Sequence, residues 1–129
     1  MKNKVLIKQA NYYKDISTAL LKSAKNELEN FAKINVISVP GVFEIPVVIS
    51  KNLKKYDGFV ALGCVIKGQT PHFDFISQAS TTAIMTLSIE SRKPIGNGII
   101  TCLNMKQAKE RKKKGAEAAK AIISILNQR

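Results

Sequence analysis

Residues 58–66 read GFVALGCVI, nine consecutive residues with no charge and nothing more polar than one thiol. Such a stretch has no face to offer to water. Its bulky β-formers, Phe59, Val60, Val65 and Ile66, point to an extended strand covered on both sides, the kind found inside a parallel sheet. Parallel strands cannot be joined by a tight hairpin, so a strand of this kind predicts a crossover helix on either side of it in the sequence.

Upstream, residues 44–54 (EIPVVISKNLK) read as a helix with Pro46 in its first turn, where a missing N–H costs little. Pro40 and Gly41 mark a turn before it, and the β-branched run 34–39 (INVISV) is a strand. Residues 15–31 form an amphipathic helix with Ile16, Leu20, Ala24 and Leu28 on one stripe, and 4–9 (KVLIKQ) form a first strand. Downstream, a long helix is expected over 71–90 and a fourth strand, interrupted by Gly96 and Gly98, over 95–103. A last helix over 104–126 opens on Asn104 as N-cap. The order βαβαβαβα, with right-handed crossovers, predicts an α/β domain spanning 1–129: a three-layer αβα sandwich around a four-stranded parallel sheet.

At 129 residues and 45% apolar composition the chain suits one core. Neither a membrane-spanning run nor a secretory leader is legible, so a soluble cytoplasmic protein is expected, with no membrane partner. Cys64 and Cys102 each sit in an apolar β-prone run, where a thiol packs as a small hydrophobe. With a single histidine and no CxxC or HxxxH spacing, no metal site is expected.

The formal charge of +12 suggests an anionic partner. Many lysines, among them Lys22, Lys25, Lys106, Lys109 and Lys120, nevertheless fall on faces that helical periodicity turns to solvent. Aromatics are 6% with no tryptophan, and no interleaving of rings and bases appears, so nucleic acid is a second choice.

In an open α/β sheet, ligands bind beyond the carboxyl ends of the strands. Four stretches are candidates there: Tyr12 and Tyr13 in NYY, Val42, Phe43 and Glu44 in PGVFE, the run KGQTPH at 67–72, and Arg111 to Lys114 in RKKK. Thr70 followed by Pro71 fits an N-cap with proline in the first helical position, and the donors of that helix start attract an anion. His72 stands in that first turn. Histidines ordinarily titrate near roughly 6.5, which suits proton transfer near neutrality, yet an imidazole that merely faces solvent fits the same spacing. Phe43 could stack on a planar ring and Glu44 could accept from hydroxyls, or Phe43 is core and Glu44 a first-turn carboxylate.

Taken together and in this order, VPGVFEIP (39–46), YDGFVALGCVIKGQTPHFDF (56–75), IGNGIIT (95–101), NMKQAKER (104–111) and KGAEAA (114–119) resemble the lumazine synthase family of riboflavin-pathway enzymes. The resemblance covers residue 4 to about 126. It implies a flavodoxin-like fold, no cofactor, and condensation of 5-amino-6-(D-ribitylamino)uracil with 3,4-dihydroxy-2-butanone 4-phosphate to 6,7-dimethyl-8-ribityllumazine, with release of phosphate and water. By position, it implies that Tyr12 stacks on the pyrimidine and that Val42, Phe43 and Glu44 hold ring and ribityl chain. Cys64, Val65 and Ile66 would offer backbone hydrogen bonds to the uracil. Gln69 and Thr70 would take the phosphate, with Arg111 and Lys114 reaching it across a subunit interface, and His72 would shuttle protons. Asn97 stands where many relatives place an aromatic over the site. The connection from Arg111 to Lys114 is shorter than the glycine-containing loop usual in the family. A homo-oligomer is implied, a pentamer first and an icosahedral shell of sixty next. A basic module that binds RNA or another polyanion, and a pseudoenzyme that binds lumazine or riboflavin without making it, remain the other readings.

Overall fold

The computed structural model describes residues 3–128. Its elements run β1 (Asn3–Ala10), α1 (Lys14–Leu28), β2 (Ala32–Val39), a 3-10 turn (Val42–Glu44), α2 (Ile45–Lys51), β3 (Gly58–Ile66), α3 (His72–Ser91), β4 (Ile95–Cys102), α4 (Met105–Glu110) and α5 (Lys114–Leu126). The four strands form one parallel sheet in the order β2-β1-β3-β4. GFVALGCVI is an inner strand, as its composition requires, and Phe59, Val60, Ala61 and Leu62 are fully buried.

Side chains alternate across the strands into two cores. Val5, Ile7, Val60, Leu62 and Ile100 point toward α1 and α5, where the stripe Ile16, Leu20, Ala24 and Leu28 meets them with 2% exposure or less. Leu6, Ala10, Phe59, Ala61 and Ile99 point the other way, toward Ile45 and Ile49 of α2 and Ile84 of α3. Each large side chain removed from water in these layers contributes about 1.5–3 kcal/mol. The α5 helix lies close in because glycines meet it: a Cβ on Gly96 would stand 2.3 Å from the Ala118 carbonyl oxygen, and one on Gly115 would stand 2.2 Å from that of Leu20.

The expected strands and the first three helices are present with ends shifted by at most three residues. The last helix is different. A continuous helix over 104–126 is replaced by α4 and α5 with a turn at 111–113. Asn104 caps α4 as expected, its side chain accepting from the Gln107 N–H at 2.9 Å. At Arg111 the ladder tightens: its N–H reaches both the Gln107 and Ala108 carbonyls, and Lys114 N–H returns to the Arg111 carbonyl at 3.0 Å. Helical propensity through ERKKKG is adequate for one rod, but a rod would carry the chain off the sheet. Tertiary packing of Ala118, Ala119 and Ile122 into the core turns it back.

One residue in the sheet violates the burial pattern. Lys8, paired with Ile37 and Ala61, is fully buried, and its Nζ has no hydrogen-bond partner among the described residues. Burial lowers its pKa from the ordinary 10.5.

Candidate functional site

The order β2-β1-β3-β4 means that the chain leaves β1 toward one edge and β3 toward the other. The connections therefore part beyond the carboxyl ends of β1 and β3, where open α/β sheets take ligands. A cleft of about 700 Å³ lies there, lined by Tyr12 and Tyr13 after β1, the 3-10 turn 42–44, the end of β3, and His72 and Ile76 of α3.

Local chemistry builds each wall. A Cβ on Gly63 would stand 2.7 Å from Val42 Cγ2, so the glycine in β3 lets the 3-10 turn lie directly on the sheet. Val42 is thereby buried, while Phe43 is 65% exposed and presents its ring outward. The Glu44 carboxylate folds back over Gly41, whose added Cβ would come within 3.1 Å of Oε1. Opposite, Tyr12 is 75% exposed and meets Tyr13 edge to face at 4.9 Å. Burial, then Cys64 and Tyr12 nearby, raise the Tyr13 pKa, keeping its hydroxyl a hydrogen-bond donor.

The floor carries hydrogen-bonding backbone. Pairing of β1 with β3 ends at Gln9 and Leu62, whereas pairing of β3 with β4 continues to Ile66 and Cys102. Residues Cys64, Val65 and Ile66 therefore have a neighbouring strand on one side only, and their other edge opens toward the cleft. Cys64 is a free, buried thiol. Burial, with Cys102 close by and sharing a hydrogen bond, pushes its pKa up to about 12, so near neutrality it stays a protonated thiol and not a thiolate nucleophile.

At the α3 start, the Thr70 cap shifts. The first helical residue is His72, with Pro71 in the capping position, and the Thr70 hydroxyl accepts only a long hydrogen bond from the His72 N–H at 3.4 Å. Proline ψ of 4° keeps Pro71 short of helical geometry. Lys67, Gly68, Gln69 and Thr70 form an exposed loop beside the cleft, anchored where Lys67 N–H donates to the Cys102 carbonyl at 2.8 Å.

Eight of the residues singled out from the sequence, Tyr12, Val42, Phe43, Glu44, Cys64, Val65, Ile66 and His72, line this one cleft. Gln69 and Thr70 do not line it; they are exposed in the loop that leads into His72. Arg111 and Lys114 do not line it. They line a second cleft of about 460 Å³ on the β4 edge, with Thr101, Glu110, Lys113 and Glu117. There Arg111 Nη1 donates to the Thr101 carbonyl at 3.0 Å, and Lys114 lies 3.8 Å from Glu117. Asn97 lies in neither cleft. It is exposed on β4, and its Oδ1 accepts from the Ile99 N–H at 3.1 Å. Of the other lining residues, Tyr13 and Gly41 belong to the candidate stretches NYY and PGVFE, whereas the sequence did not single out Ile76. The helical spacing of Ile76, one turn after His72, was the available signal for the last.

Among the described residues, no cluster of three or more histidine, cysteine or acidic side chains could hold a metal ion, and no helix is long and apolar enough to cross a membrane.

The profile of the family 6,7-dimethyl-8-ribityllumazine synthase matches residues 2–129. Proteins of that name from Bartonella tribocorum and Agrobacterium fabrum are similar to the chain at 45% and 44% identity, over 95% of this chain and 87% and 91% of theirs. One from Afipia carboxidovorans is 43% identical over 95% of this chain and 83% of its own.

Proposed function

The chain belongs to the 6,7-dimethyl-8-ribityllumazine synthase family, and from that premise we propose how its two clefts divide the reaction. The enzyme is a transferase of riboflavin biosynthesis that condenses 5-amino-6-(D-ribitylamino)uracil with 3,4-dihydroxy-2-butanone 4-phosphate, releasing phosphate and water. Its substrates are small and polar, so much of the rate comes from holding them in contact.

The uracil lies on the open backbone edge of Cys64–Ile66 between the rings of Tyr12 and Phe43, and Glu44 accepts from the ribityl hydroxyls. His72 takes the proton that the attacking amine loses and returns one to the hydroxyl that leaves as water, and the same imidazole serves the proton transfers of phosphate loss and ring closure. Gln69 and Thr70 hold the phosphate near the α3 start. Arg111, with several guanidinium N–H groups beyond the one given to Thr101, and Lys114 complete its neutralisation from a second copy of the chain. Asn97 borders the site from that same copy.

The observation that carries this reading is that the His72 cleft and the Arg111 cleft share no lining residue. A homo-oligomer joins them. The α3 helix supports this, because Phe75, Met85 and Ile89 leave an apolar stripe exposed at 59–68% along its length. A ring of five is the assembly we favour over a shell of sixty.

Subunit mixing tests it. His72→Ala and Arg111→Ala chains, each poorly active alone, are expected to regain lumazine formation when co-assembled, because some interfaces then pair an intact His72 with an intact Arg111. Mixtures no more active than their parents would overturn the shared site, and a particle mass other than five chains by light scattering would overturn the ring.

A further inference from the structure

At the amino ends of the strands, away from both clefts described above, lies a third concavity of about 400 Å³. Lys4 of β1, Lys33 and Asn35 of β2, and Lys54, Lys55 and Tyr56 after α2 line it. The topology makes this convergence: Lys4 and Lys33 are register partners on adjacent strands, so their side chains leave the same face, and the turn after α2 returns alongside β1 on the way to β3. The return is fixed by the Lys4 N–H donating to Asp57 Oδ2 at 2.8 Å and the Asp57 N–H donating to the Lys4 carbonyl at 2.8 Å.

Like charges directly opposite each other in a sheet are destabilising, and two further lysines beside them add to the repulsion. No carboxylate lines the concavity, and neither ion pair found among the described residues, Lys114 with Glu117 and Lys120 with Glu27, involves its lysines. Asp57, which accepts from the Lys4 N–H, is a single carboxylate beside four lysines and offsets only part of their charge. Solvated lysines on a convex helix face need no explanation, but four converging on one concavity from three segments leave a local positive potential that a multivalent anion would relieve.

We propose that this concavity is a second anion site, one that takes a small oligophosphate, a ligand with two or more linked phosphates. The recognition is by charge and reach. Lysines are flexible point charges without the rigid fork of arginine, so they follow a phosphate chain whose negative charges are spaced along it. The Asn35 amide and the Tyr56 hydroxyl add neutral donors at the wall. A single phosphate, the group on the butanone substrate, offers too little charge to engage all four amines.

Calorimetric titration of the intact oligomer with inorganic triphosphate at low ionic strength, with orthophosphate present to fill the catalytic phosphate position, tests this. Saturable binding of one triphosphate per chain is expected, weakened by salt. Lys33→Gln and Lys54→Gln are each expected to weaken it about tenfold, which is about 1.4 kcal/mol. Both leave lumazine formation without triphosphate unchanged. Arg111→Gln leaves the triphosphate affinity unchanged. The proposal is overturned if the two lysine variants bind as the parent does, if Arg111→Gln abolishes binding, or if Lys120→Gln weakens it equally, since the last would mark general attraction to a basic surface. None of these outcomes bears on how the catalytic clefts divide their work.

Discussion

The two clefts at the carboxyl end of the sheet are built differently. The His72 cleft is walled by aromatic and aliphatic side chains and a one-sided strand edge, with one imidazole and one carboxylate facing in. The β4-edge cleft is smaller and charged, with Arg111, Lys113 and Lys114 set against Glu110 and Glu117. The first suits a flat ring and proton transfer; the second suits a phosphate. Chemistry that needs both within one chain would be crippled by their separation, so the contrast itself argues for sharing between chains.

The sharpest test of that contrast is turnover in His72→Ala. Loss of a positioned acid–base group is expected to lower kcat by roughly 10²–10⁴ with the fold intact, checked by steady-state lumazine formation and circular dichroism. A rate equal to the parent would make the imidazole a bystander and the first cleft a binding surface only. Arg111→Ala is expected to act on the other cleft's task, raising KM for the phosphorylated substrate about tenfold while KM for the ribitylaminouracil stays put. Equal effects on both substrates would erase the distinction.

A smaller effect separates function from stability at the sheet. Replacing the buried, partnerless ammonium in Lys8→Met is expected to stabilise the protein by on the order of 1–3 kcal/mol in urea unfolding. The pH dependence gives the sign. Because burial depresses the Lys8 pKa in the folded state, the unfolded chain binds more protons between that lowered value and 10.5. Lys8 therefore costs stability most at low pH, and stability rises with pH through the window. The methionine variant loses this rise; a variant that keeps it would show that the rise comes from groups other than Lys8. The smallest effect is expected at Cys64→Ala. A thiol with its pKa pushed up to about 12 is almost wholly protonated at neutral pH, so its loss trims packing and leaves the backbone contacts of the first cleft in place. Reaction with iodoacetamide at neutral pH is expected to be slow, and rapid inactivation by it would refute this reading of the floor.

What was legible in the chain followed from periodicity and from local stereochemistry. The apolar run 58–66 demands a strand covered on both faces, the stripe Ile16, Leu20, Ala24 and Leu28 demands a helix on that sheet, and Asn104 caps a helix by a contact three residues away. Gly63 stands in β3 for a reason that sequence alone hides, since the Val42 side chain it must admit comes from another element. The candidate residues could be named from motifs, yet their partition was not legible: nothing in the spacing of His72 and Arg111 says that they line separate clefts. The break at 111–113 was likewise out of reach, because Arg111 and its lysine neighbours are compatible with a continuous helix and only the pull of α5 into the core bends the chain there. Local preferences are properties of neighbouring residues and can be read along the chain. Burial, close approach and the meeting of distant charges are properties of the folded whole, and those were decided by how the layers pack.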